Sequence, residues 1–165
     1  MAASANSVTG RISEAIATVI RGLKLEPTPT VAMRKKMVVL DGDGPLMILV
    51  EVADSEAFEP IGNNGATPKP YLTWVGKRPC GVALGYGNQG RQGNNATLRE
   101  HRGLIEDAIT AGALQGAGLN TSVARANDVL PSGRQVFDHT QNSIGTDWSV
   151  MTFAVETLED RPYGI

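Results

Sequence analysis

Apolar positions change their period several times along this chain, and each change marks an element. Ile12, Ala15, Ile16, Val19, Ile20 and Leu23 recur at the three-and-four spacing of a helix that buries one face, with Arg11, Glu14, Arg21 and Lys24 outside the stripe. Ser7 or Thr9 can cap this helix, and Pro27 and Pro29 end it. The period then shortens. Met37–Leu40 and Leu46–Ala53 are short branched apolar runs separated by Asp41-Gly42-Asp43-Gly44-Pro45, which predicts a hairpin with a tight polar turn. In the second run both alternate sets are apolar apart from Glu51. Such a strand is either central and covered on both faces, or leaves one face for another subunit.

Phe58–Lys69 holds Pro60, Gly62, Asn63, Asn64, Gly65 and Pro68 and is expected to be an irregular connection. Tyr71–Val75 and Val82–Tyr86 read as two strands interrupted at Gly76–Gly81 by Pro79, and they could pair with each other. Gly85–Asn95 has almost no side chain able to enter a core, so it is expected to be a mobile loop or one ordered by a partner. Thr97 with Glu100 three residues on forms a capping box, and Leu98, His101, Ile105, Ala108, Ile109 and Gly112 line one stripe of a second helix. That helix is expected to end among Gly112, Gly116 and Gly118. A short strand near Ser122–Asn127, a polar stretch Pro131–Asp147 and a closing strand Trp148–Thr157 follow. In the last, Met151, Phe153 and Val155 alternate with Val150, Thr152 and Ala154.

Strands that cluster instead of alternating with helices give an α+β order, which disfavours a doubly wound parallel sheet. The expected fold is a mainly antiparallel sheet with two helices packed on one face, in a single domain. A flexible N-terminal arm over residues 1–8, the domain over 9–158 and a C-terminal tail over 159–165 complete the organisation.

Composition narrows the function classes. A chain of 165 residues with a formal net charge of −2 and no long run of either sign lacks the basic stripe that phosphate neutralisation requires. Arg34, Lys35 and Lys36 stand together, but beside the apolar Met37–Leu40 they read as a solvated strand entry. The longest apolar run, Leu46–Val50, is too short to span a membrane, and Met1–Val8 does not have the make-up of a signal peptide. Folding in a cytoplasm is therefore expected. Cys80 is the only cysteine, so no intramolecular disulfide can form.

Each candidate for chemistry has a plainer reading beside it. Asp41 and Asp43 could hold a divalent cation, yet D-G-D-G-P between two apolar runs is also what a hairpin turn demands. Gly85, Gly87 and Gly90 match the Gly-x-Gly-x-x-Gly spacing of dinucleotide sites, but the next helix begins too late and no P-loop lysine follows. Asp138 and His139 are adjacent, so their side chains diverge in an extended chain. A triad of Cys80 with His101 or His139 and a carboxylate can be written, though nothing in the spacing supports it. No catalytic residue, metal ligand or cofactor site emerges. The candidate contact residues are polar ones in loops: Asn88, Gln89, Arg91, Gln92 and Asn94, with Arg134 and His139 in the later polar stretch.

An amphipathic N-terminal helix, an apolar strand cluster, a helix carrying Arg99, Arg102 and Ile105, a short strand, a polar connection and a closing Trp-x-Val-x-x-Phe-x-Val strand together resemble tail terminator or tail-completion proteins of long-tailed bacteriophages. The resemblance spans most of Val8–Glu159 and rests on order and size. It implies a structural virion subunit of a homo-oligomeric, six-fold ring that caps the tail tube and meets the neck or connector proteins, in the tail or neck of a particle assembled in the host cytoplasm. Neither membrane nor sequence-specific nucleic acid is an expected partner. The long Phe58–Lys69 connection and the Gly85–Asn95 loop do not map onto the family pattern. The alternatives are a neck or head-completion protein between portal and tail, a small nucleotide- or metal-dependent enzyme, and a monomeric binding module.

Overall fold

A computed structural model of the chain describes residues 7–33, 46–53, 57–63, 71–86, 95–131 and 148–162. The first helix, α1, runs Val8–Gly22; Ser7, not Thr9, caps it, accepting a hydrogen bond from the Gly10 amide at 3.0 Å. It ends where Lys24 takes a left-handed conformation, φ 51°, before the proline pair. Ile12, Ile16 and Ile20 on its inner face are fully buried.

Among the described residues the strands form one six-stranded sheet. They are β1 (Thr30–Ala32), β2 (Leu46–Val52), β3 (Ala57–Asn63), β4 (Tyr71–Tyr86), β5 (Arg125–Pro131) and β6 (Trp148–Pro162). The order is β1-β2-β4-β6-β5, with β3 also on β4. Only β1 and β2 run parallel; the other pairs are antiparallel. The described residues also form three helices: α1, α2 (Asn95–Ala108) and α3 (Ala111–Gly116). Their inner residues, including Ile105, Ile109 and Leu114, share one core with Leu46, Ile48, Val50, Cys80, Val82, Leu84, Met151, Phe153 and Val155. In a strand alternate residues share a face, so the helices lie on one face of the sheet. The α+β fold and the one-sided helix layer therefore match expectation.

Several element boundaries differ, each for a physical reason. The first arm and turn of the expected hairpin lie outside the described residues. At Met47–Leu49 one edge of β2 pairs with β1 and the other with β4. The same pairing makes β2 a central strand, and Met47 and Leu49 are buried against Ala83, Ala32 and Val150 on the face away from the helices. Its second apolar face is thus covered within the single chain.

The described part of the Phe58–Lys69 stretch, read as an irregular connection, belongs to strand β3, Ala57–Asn63; the rest of the stretch lies outside the described residues. It tolerates Pro60 and Gly62 because among the described residues it pairs only with β4, and its register shifts between those two residues. The two segments expected on either side of Pro79 are one strand, β4, and do not pair with each other. The Pro79 carbonyl accepts from the Ala53 amide at 2.8 Å. In extended backbone a residue's N–H and C=O point to the same edge, so the hydrogen missing at Pro79 would face the gap where β4 changes partner from β3 to β2. The β6 ladder on the other edge needs nothing from it.

The second helix starts at Asn95, before Thr97, and gives way to a separate α3, so three helices replace the expected two. Thr110 makes the division: it is extended, φ −124° and ψ 162°, and its hydroxyl accepts from the Ala113 amide at 3.1 Å. The short strand begins at Arg125 and runs on to Pro131. Strand β6 continues to Pro162, so Glu159–Pro162 belong to the sheet and not to a tail.

Candidate functional site

Strands β4 and β6 pair over the whole span from Tyr71↔Pro162 to Gly85↔Trp148, a ribbon of about 50 Å at a rise of 3.4 Å per residue. Its helix-facing row runs Leu84, Val82, Cys80, Arg78 along β4 and Met151, Phe153, Val155, Thr157, Glu159 along β6. The apolar end of that row is core. The polar end holds a buried ion pair: the Arg78 side chain is 5% exposed and that of Glu159 1%. Arg78 Nη1 donates to Glu159 Oε2, and Nη2 donates to Oε1 at 3.1 Å, a two-pronged pairing. Thr157, fully buried, links the two: its Oγ1 accepts from Arg78 Nη1 at 3.2 Å and donates to Glu159 Oε2 at 2.7 Å. Opposite charges that satisfy one another inside the protein hold structure; they offer no free acid or base.

The other titratable groups singled out by sequence are equally closed. Cys80 is fully buried, its thiol donating to the Arg78 carbonyl at 3.4 Å. Burial pushes that thiol from 9.0 up to about 12, against the smaller downward pull of the Val155 backbone hydrogen bond and the Arg78 charge. A thiol in that state is not a nucleophile at neutral pH. His101 lies buried on the inner stripe of α2, as a packing histidine does. Among the described residues no three His, Cys, Asp or Glu side chains group as metal ligands, and no helix is long and apolar enough to cross a membrane.

A cleft of about 360 Å³ opens where the end of α2 meets β5 and β6, lined by Ile109, Val129, Met151 and Phe153 with Glu106 beside them. Arg102, one turn earlier on α2, donates to Glu106 through Nε at 2.9 Å. The cleft can receive apolar groups, and the carboxylate nearest it is already paired.

Asp41, Asp43, Gly87–Gly90 and His139 lie outside the described residues, as do all the candidate contact residues: Asn88, Gln89, Arg91, Gln92, Asn94, Arg134 and His139. Their attachment points are described. Leu46 pairs with Tyr86, and Gly85 stands between Met47 and Trp148, so the start of β2, the end of β4 and the start of β6 meet at one end of the sheet. Chain segment 87–94 begins there and segment 132–147 ends there. Three strands, β1, β3 and β5, have only one paired edge among the described residues, and each carries or directly follows a proline: Pro29, Pro60 or Pro131.

The Arg78–Thr157–Glu159 group was missed by the sequence reading. The signal was present in phase, because Thr157 and Glu159 continue the odd-numbered inward row of Met151, Phe153 and Val155. It was hidden by polarity, since alternation judged on hydrophobicity stops at Val155. No protein-family profile matches the chain, and no curated protein matches it.

Proposed function

We propose that this chain is a structural subunit of a ring that caps the tail tube of a long-tailed bacteriophage and joins it to the head connector. The observation that carries this reading is the convergence of the β2, β4 and β6 ends at one end of the sheet. The two polar segments that hold the candidate contact residues, the first of them glycine-rich, each have one end there. A six-stranded sheet with a polar segment joined to two of its converging strand ends suits a subunit that contacts neighbours through those segments. The order of elements resembling tail terminators supports the more specific role.

Assembly by strand addition is disfavoured, because each strand with one paired edge among the described residues carries or follows a proline, a residue without a ladder donor. The covered second face of β2 likewise does not supply an apolar contact surface. Contacts through the polar segments remain, at the entropic cost of ordering them on a partner.

The test is removal of residues 87–93, reading the melting temperature of the isolated subunit beside the yield of complete particles in a complementation assay. The expected result is an unchanged melting transition and a loss of particles. Loop length itself costs only about 0.6 kcal/mol per doubling, so stability should barely move. A wild-type yield of particles removes this segment from the interface. Imaged particles in which the chain lies outside the tail and neck overturn the proposal as a whole.

A further inference from the structure

We infer that the Arg78–Thr157–Glu159 network is a one-way stop that fixes the register of β6 against β4, independently of the assembly role proposed above. Little else sets this register. In a hairpin the turn does so, but β4 and β6 are separated in sequence by residues 87–147 and share no turn. Their apolar row discriminates only in part. Val82 stands opposite Met151 and Cys80 opposite Phe153. A slip of two residues keeps every side chain on its face; the one that brings Ala154 opposite Lys77 exchanges Phe153 for Met151 at Cys80, apolar for apolar, and Met151 for the small polar Ser149 at Val82. Pro79 is silent, because its missing hydrogen faces the other edge of β4.

The polar end does discriminate, and in one direction. Arg78 stands opposite Val155, so its side chain reaches along the ribbon past Thr157 to Glu159, four residues beyond its own partner. That is about 13 Å along the strand. A slip that brings Ala154 opposite Lys77 puts six residues between the rows of Arg78 and Glu159, about 20 Å. Two side chains cannot bridge that separation. The same slip sets Arg78 opposite Phe153 in the apolar core and leaves a buried carboxylate behind. The opposite slip shortens the distance, so the pair does not guard against it. A buried polar group used to choose between otherwise equivalent registers is the best-attested role for such groups.

The test reads register directly by disulfide trapping on the face opposite Arg78. Lys77 pairs with Glu156, and the direction of the Pro79 carbonyl makes this a non-hydrogen-bonded row on the β6 side. Its Cα atoms are then about 4.5 Å apart, within disulfide reach. Lys77 and Ala154 lie on the diagonal and can be bridged only after the slip. Cys80 is on the other face and stays in place.

With Arg78 and Glu159 intact, Lys77→Cys/Glu156→Cys should cross-link and Lys77→Cys/Ala154→Cys should stay at background. Adding Arg78→Met/Glu159→Leu should raise the Lys77→Cys/Ala154→Cys cross-link to a share comparable with the in-register one. The charge-swapped Arg78→Glu/Glu159→Arg pair should hold it at background. A folded Arg78→Met/Glu159→Leu protein that cross-links only in register overturns the inference. So does slipped cross-linking in the charge-swapped protein. Failure of the Met/Leu protein to fold overturns it too, since the network would then act on stability at large.

Discussion

Replacing Glu159 by leucine removes the carboxylate from a guanidinium that is 5% exposed. The leucine has a similar volume, so the loss is electrostatic and not steric. Burying a charge whose partner has been deleted costs about 3–5 kcal/mol. Against a total stability of about 5–15 kcal/mol for a domain of ordinary size, that is a large share. Arg78→Met strands the carboxylate in the same way and is expected to cost a similar amount. The double replacement strands neither. It exchanges an ion pair, whose desolvation offsets most of its attraction, for apolar contact, and is expected to be close to wild type or more stable.

The assay is urea unfolding of wild type, the two single variants and the double, with the slope of the transition checked for constancy so that midpoints report stability. The expected signature is strong non-additivity, with each single variant well below wild type and the double restored. Two results would refute the reasoning. Single variants within about 0.5 kcal/mol of wild type, the range of ordinary surface substitutions, would mean that water reaches the pair. Additive losses would mean that the two residues do not act on each other.

Phe153→Ala should destabilise the fold by about 3–5 kcal/mol, since the ring is buried in the main core between the helices and β6; an unchanged denaturant midpoint would show the ring to be dispensable. The Cys80 thiol, raised to about 12, should resist alkylation of the folded protein at pH 8 and react only on unfolding. Because the folded value is raised above 9.0, its contribution to stability is complete below that pH and declines as pH rises from there towards 12. Alkaline unfolding of wild type and Cys80→Ala should differ by that slope. Ser7→Ala should cost about 0.5–2 kcal/mol by removing the cap of α1, whereas Thr9→Ala should cost little. Equal losses in both, followed by thermal melting, would place the cap at the wrong residue.

Elements that depend on their own neighbours in sequence could be read from the chain. The stripe of α1 and its proline stop are local, and so is the inward row of Met151, Phe153 and Val155. Even the burial of β2 was legible in its doubly apolar run, though the choice between a covered strand and an exposed face was not. What covers a face is decided by residues far away in the chain. The same limit holds for the edges of β2: nothing in Met37–Ala53 states that β1 and β4 pair with it at Met47–Leu49.

The misread elements share one cause. Pro60, Pro79 and Gly62 are breakers only when the backbone group they lack or loosen is needed, and need is set by the partner strand. Pro60 lies on a strand paired along one edge at a register shift, and Pro79 turns its missing hydrogen to a change of partner, so both are absorbed. Polar residues behave in the same way. Arg78 and Glu159 stand 81 residues apart and each alone marks a solvated position, but paired across a fixed register they become interior. The buried pair that joins β4 and β6 was therefore hidden in the sequence, because its meaning exists only once the register is known. If the network also selects that register, the residues that cannot be read without the fold are among those that decide it.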